Sequence, residues 1–270
     1  MVITMPILAN YHTHTARCHH AIGTEREYIE AALSIGMKTL GFADHVPYAF
    51  PGGYVSSFRM EQEKTQEYVR TLLALREEYR GRIEILIGFE AEYYPALFAE
   101  NLRFLQQFPI DYLILGQHLT KNEYDGLYVG APFFDGATLH AWVDQVTEGL
   151  STGCFSYLAH PDLPQFCGED AVYCAEMERL CRFCAAECIP LEINLLGLRG
   201  GRCYPSERFF RLAAKAGAKA VIGCDAHEIG FLRDTDGIEA CLALARRCGI
   251  SVLETVPLRD PFALFKSQSR

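Results

Sequence analysis

Long hydrophobic runs are missing from this chain, and so is an excess of basic residues. No apolar stretch approaches the roughly 18–20 residues that span a bilayer, so no membrane partner is expected. There are 25 Lys and Arg against 34 Asp and Glu, a net charge of −9. A nucleic-acid backbone is an unexpected partner, because phosphate neutralisation calls for a cationic surface. The start, Met1 to Asn10, carries no basic leader of a secretory signal. The chain has one Trp, and no low-complexity tract, fixed-period repeat or interdomain linker interrupts it. One domain over residues 1–270 is expected.

Cysteine is plentiful instead, with 11 scattered residues. An odd count without an export signal points to a reducing, cytoplasmic compartment. Cys174, Cys181, Cys184 and Cys188 are spaced as one face of a helix. That spacing predicts a packed apolar stripe rather than a structural zinc site.

Apolar runs near 6–11, 38–43, 83–89, 110–116, 154–159, 189–195, 219–224 and 250–256 read as strands. Amphipathic patterns over 61–80, 138–151, 169–188, 205–216 and 236–248 read as helices. Another helix starts at Thr24, where Thr24-Glu25-Arg26-Glu27 is a capping box. Strand–helix alternation at this spacing predicts a parallel sheet. Seven or eight such units in 270 residues favour a closed sheet, a TIM-like, distorted (β/α)7 or (β/α)8 barrel. Segments 46–60 and 119–137 are long and aromatic, and they should overhang the strand ends.

Six of these strands end in a metal-ligand residue. The ends are His12-Thr13-His14, Asp44-His45, Glu90, His118, His160 and Asp225-Ala226-His227. Strand carboxyl ends converge on one face in sheet-based α/β proteins, so the dispersed residues become one cluster. His12 and His14, two apart in a strand, point to the same side and can grip one ion. His19 and His20 follow, and one of them can fold back toward the cluster. Of nine His, only His140 falls within a helical stretch, and no metal role is expected for it. Glu90 and Asp225 supply negative charge, and a carboxylate can bridge two ions. Mixed imidazole and carboxylate ligation suits Zn, Fe or Mn better than Ca or Mg. Glu92 and Tyr93 are expected to orient the ligands from behind.

These residues together resemble the PHP (polymerase and histidinol phosphatase) superfamily, over about residues 9–233. Leu191-Glu-Ile-Asn194, Gly197-Leu198-Arg199-Gly200 and Tyr204-Pro-Ser206 are similar to its histidinol-phosphatase branch. The resemblance implies a distorted (β/α)7 barrel holding three divalent transition-metal ions. The first ion would take His12, His14, Glu90 and Asp225. The second would share Glu90 and add His118 and His160, and the third would take His20, His45 and His227. His20 is favoured over His19 by the family's spacing. Glu90, Asp225 and His227 are the expected catalytic residues.

The implied activity is hydrolysis of a small phosphate monoester, foremost L-histidinol phosphate, in histidine biosynthesis. The expected nucleophile is a hydroxide bridging two ions about 3.5–4 Å apart. Arg199 resembles a phosphate-binding arginine, with Arg202 a weaker second. Asp162, Glu92 and Glu192 are candidate partners for a substrate ammonium. The alternative is a PHP phosphoesterase acting on another monoester or a nucleotide. An amidohydrolase also begins with HxH, but it uses a bridging lysine where this chain has Glu90. A non-catalytic metal-binding module fits the full ligand set less well. Oligomeric state is unknown at this level.

Overall fold

Eight strands, all parallel and in chain order, form one sheet: β1 (Ala9–Asn10), β2 (Thr39–His45), β3 (Glu84–Ala91), β4 (Tyr112–Leu115), β5 (Phe155–Leu158), β6 (Leu191–Asn194), β7 (Lys219–Gly223) and β8 (Ser251–Val252). The helices are α1 (Glu25–Ser34), α2 (Thr65–Glu78), α3 (Phe98–Leu105), α4 (Gly136–Ser151), α5 (Asp170–Ala186), α6 (Leu195–Arg199), α7 (Glu207–Lys215), α8 (Ile229–Arg233), α9 (Thr235–Cys248) and α10 (Ala263–Ser267). This computed structural model describes residues 7–267. The expected approach to the first strand, residues 1–6, lies outside the described residues.

The sheet curls into a barrel that is closed at its carboxyl end. There His14 N donates to Ala226 O at 3.0 Å and Ala226 N donates to His12 O at 3.1 Å. Thus the segment after β1 meets the segment after β7. At the opposite end β8 lies beside β7 instead, with Lys219 opposite Ser251. Seven strands complete the ring around the ligand residues, and the short eighth fills the seam below. This is the distorted TIM-like barrel the sequence implied.

Alternation along the strands builds two cores. Phe42, Leu113, Phe155 and Ile193 point outward under the helices, whereas Ala43, Tyr112, Ile114, Tyr157 and Val221 fill the lumen. Tyr112 donates its hydroxyl to Tyr11 O at 2.6 Å, which satisfies a polar group inside that lumen. The inward face then changes character toward the carboxyl end. In β3 it runs from Leu86 to Glu90 and Glu92, and in β7 from Val221 to Asp225. The upper lumen is therefore lined by ligand-type side chains on rigid supports.

Helix starts follow local chemistry. Thr24 and Glu27 form the capping box at α1, with Thr24 N donating to the Glu27 carboxylate at 2.8 Å. Asp135, Ser206 and Asp234 cap α4, α7 and α9 through their side chains. Some expectations shift. The helix expected over 61–80 begins with a 3-10 turn at Gln62–Lys64, and α3, α6 and α8 were not foreseen. Cys181 and Cys184 are buried on α5 as the stripe predicted, and Cys174 is partly buried. Cys188 departs from the stripe: it lies past the helix end, exposed, with φ +53°. Among the described residues no helix is long and apolar enough to cross a membrane.

Candidate metal centre

Glu90 occupies the centre of the upper lumen. Its Oε2 faces His12 Nε2 at 3.5 Å, His14 Nε2 at 3.5 Å and His45 Nδ1 at 3.0 Å. Its Oε1 faces His160 Nε2 at 2.7 Å and His118 Nε2 at 3.6 Å. Gly116 makes this possible, because a Cβ there would sit 1.8 Å from Glu90 Oε1. Across the lumen Asp225 Oδ1 lies 3.2 Å from His14 Nε2 and 3.5 Å from His12 Nε2. His160 and Asp225, each just past a strand end, have φ of +28° and +48°. Such backbone costs on the order of 1–3 kcal/mol in a non-glycine residue, and it turns both side chains back over the barrel.

His227, His20 and His45 form a third group beside the first two. The His20 ring stacks on His227 at 4.6 Å and on His45 at 5.5 Å. His19 points away, half exposed, 3.7 Å from Glu61. His140 is remote on α4, bonded to Glu176. The structure thus brings together His12, His14, His20, His45, Glu90, His118, His160, Asp225 and His227.

The electrostatics ask for added positive charge. Burial pushes the Glu90 carboxyl up, but His118, His12 and His45 more than reverse this and hold it well below the usual carboxylate range. Asp225 is likewise held low against its burial, chiefly by His12 and His14. His12 and His14 are raised well above the ordinary imidazole value despite burial, by Glu192, Asp225 and Glu90 at His12 and by Asp225 and Asp44 at His14. Burial keeps His45 low and lowers His227 to about 3, so both are neutral donors near pH 7.

Metal ions would fit this set. His12 Nε2, His14 Nε2 and His227 Nε2 are buried and have no hydrogen-bond partner, an expensive state for a polar nitrogen. Ligand atoms of His12, His14 and Glu90 lie within 4.8 Å of one another, as do those of His14, His45 and His227. Carboxylates behind the ring fix which nitrogen is free. His12 Nδ1 donates to Glu192 Oε1 at 2.8 Å and His118 Nδ1 donates to Glu92 Oε1 at 2.8 Å, which leaves Nε2 of each aimed inward.

A cavity of about 560 Å³ opens above, lined by six of these nine residues, not His12, His14 or His160, and by Tyr54, Phe58, Glu123, Tyr128, Arg202 and Tyr204. Segments 46–60 and 119–137 supply much of this wall, as expected. The two arginines exchange their expected importance. Arg199 does not reach the cavity: it lies at the end of α6 and forms a two-pronged ion pair with Asp234, the N-cap of α9. Arg202 does line the cavity, its Nη1 donating to the Tyr204 hydroxyl at 2.7 Å.

Other expectations are corrected by their partners. Glu192 is committed to His12, and it also accepts from His160 N at 3.0 Å, so it does not face a substrate. Glu92 orients His118 from behind, as expected, and its pairing with His118 and Arg59 removes it as a partner for a substrate ammonium. Asp162 accepts from Ser206 N at 2.6 Å, outside the cavity wall. Tyr93 bonds Glu148 at 2.7 Å rather than a ligand. Sequence reasoning named neither Arg59 nor Glu123, because no strand end or motif marks them.

Comparison with known proteins identifies the family. The PHP domain family matches residues 10–195, and the chain belongs to that family. A probable histidinol-phosphatase of Deinococcus radiodurans is 32% identical over 245 residues, covering 83% of this chain and 89% of that protein. One from Schizosaccharomyces pombe is 26% identical over 253 residues, covering 83% and 81%. In fold, the chain matches the crystal structure of histidinol phosphate phosphatase from Lactococcus lactis, complexed with Zn, L-histidinol and phosphate. The TM-score is 0.69 at 18% identity, covering 93% of this chain and 99% of that one.

Proposed function

We propose that this chain is a metal-dependent phosphatase that hydrolyses L-histidinol phosphate to L-histidinol and phosphate. One observation carries the reading: the two oxygens of Glu90 face two separate histidine sets. That is how a carboxylate would be placed to bridge two ions. The relatives bearing the histidinol-phosphatase name support the substrate. Three ions of Zn, Fe or Mn would be held by the sets His12, His14, Glu90 and Asp225; Glu90, His118 and His160; and His20, His45 and His227. When bound, they would polarise the phosphoryl group and acidify a water molecule.

The chain's own groups do the rest. Arg202 offers a planar guanidinium to the phosphate oxygens, held in place by Tyr204. Phe58, Leu119 and Leu196 give an apolar wall suited to an imidazole ring. Glu192 and Glu92 keep the protons of His12 and His118 on Nδ1, so Nε2 stays available. Residues 1–270 act as one domain in the reducing cytoplasm, where the eleven free cysteines persist. The test is a phosphatase screen of purified, metal-analysed protein. Turnover of histidinol phosphate well above that of nucleotides and other monoesters is expected. Preference for a nucleotide would leave the metal centre standing and overturn the substrate.

A further inference from the structure

Arg59 is a buried arginine, 2% exposed, in the segment that overhangs the barrel. A guanidinium is costly to bury unless its donors are matched. Here Nε and Nη1 are hydrogen-bonded, and Nη2 is held as an ion pair. Nη2 lies 2.6 Å from Glu92 Oε2, Nε donates to Glu123 Oε2 at 2.7 Å, and Nη1 donates to Val46 O at 3.2 Å. The guanidinium also covers the Phe58 ring at 4.5 Å and the Tyr48 ring at 5.5 Å.

The partners belong to two different parts of the centre. Glu92 uses its other oxygen, Oε1, to accept from His118 Nδ1 at 2.8 Å. Glu123 stands in the cavity wall, where it also accepts from the Tyr54 hydroxyl at 3.2 Å. Phe58, under the guanidinium, meets the His45 ring edge-on at 5.0 Å. One side chain therefore joins the carboxylate behind a ligand histidine to the loop that walls the substrate cavity. The join is directional. A fork can hold Glu92 and Glu123 at once, whereas a lysine presents a single point charge.

We propose that Arg59 is a positioning residue for the metal centre. By fixing Glu92 it fixes the ring of His118, so removing it weakens the one ion that His118 would hold and spares the others. The inference rests on the reading that His118 ligates a metal. The test is metal retention of the loaded protein against increasing chelator, read by elemental analysis, with Arg59→Met, Glu92→Gln and the double variant. Removing partners behind a ligand typically costs 10–100-fold in metal affinity. Arg59→Met should therefore release one class of ion at roughly 10–100-fold lower chelator than the parent. Glu92→Gln should act on the same class, and the double variant should lose no more than the worse single one, because both act through His118.

Three results would overturn the proposal. Arg59→Met could retain every ion as the parent does. It could lose all ions together in step with a fall in melting temperature, which would mark a general structural role. The losses of the two single variants could add. If the methionine variant does not fold, Arg59→Lys carries the test, with a smaller shift expected for the same ion class and parent-like retention decisive against the idea. A parent that binds no transition metal would instead defeat the functional reading itself.

Discussion

Two regions of this molecule ring histidines with carboxylates, yet they are physically unlike. At the barrel's carboxyl end, His12 and His14 are fully buried against Glu90, Asp225 and Glu192. On the outer face of α4 and α5, His140 is 56% exposed among Asp144, Glu176 and Arg179. Composition alone does not separate them. Burial does, because charges removed from water interact strongly, whereas exposed ones are screened. Only the buried set leaves imidazole nitrogens without partners, and only that set gains much from a cation.

The largest effect should come from removing that cation. Stripping the protein with a chelator should reduce turnover of histidinol phosphate to background, and resupplying Zn, Mn or Fe should restore it. A stripped protein with undiminished turnover would erase the contrast between the regions. Next, Glu90→Gln and Asp225→Asn each delete a negative charge at the centre. Each should lower kcat/KM by at least about a hundredfold, since even groups behind the ligands cost 10–100-fold. Circular dichroism should show the fold retained.

The thiols offer a second contrast. Burial pushes the Cys184 thiol up to about 12 and raises that of Cys181 as well, while Cys188 is exposed just past the same helix. Against an ordinary value of 9.0, the thiolate fraction of Cys184 near pH 8 falls about a thousandfold. Iodoacetamide should label Cys188 and leave Cys184 unmodified in the native protein, as mass spectrometry would show. The sign for stability follows from the raised value. Burial of the Cys184 thiol contributes stability that is present below about 9 and is lost as pH rises through about 12. Rapid labelling of Cys184 would mean that α5 does not pack as described.

The two arginines sharpen the comparison at one loop. Arg202→Lys should cost about 1.5–3 kcal/mol in kcat/KM, the range for a hydrogen bond to a charged group. Arg199→Lys should leave kinetics nearly unchanged, because its guanidinium is committed to the cap of α9. Kinetics in the opposite order would return Arg199 to the phosphate.

The strand ends were legible because two periodicities agree there: an apolar run closes and a ligand residue follows. Glu90 and Asp225 needed no more than that. The capping box at Thr24 was equally plain, since all of its partners lie within one turn. Arg199 misled because the resemblance carries no orientation, and Leu195–Arg199 continues as a helix that ends on an ion pair with Asp234. Arg59 and Glu123 were illegible for a different reason. They are 64 residues apart in sequence, and their meeting is set by how two irregular segments fold over the barrel, which no local pattern encodes. Glu192 was noticed but misassigned. Its distance from His12, 180 residues along the chain, hides a hydrogen bond of 2.8 Å.

The smallest expected effect is at His140, and it tests the other side of the contrast. His140 Nδ1 lies 2.8 Å from Glu176, and its Nε2 lies 3.3 Å from Asp144. On a list of contacts it looks as well connected as His12. But Asp144 is also exposed, and Arg179 already pairs with both acids at 2.7 Å. Exposed pairs of this kind are worth about 0–1 kcal/mol, because water and salt compete for each charge. Alanine removes one member of a network in which Arg179 still pairs with both acids. His140→Ala should therefore shift the midpoint of urea unfolding by less than about 1 kcal/mol equivalent and leave kcat/KM within about twofold of the parent. Metal retention should be unaltered. A large loss of activity or of bound metal would show that the helix face communicates with the barrel end, and burial would no longer suffice to tell the two kinds of histidine apart.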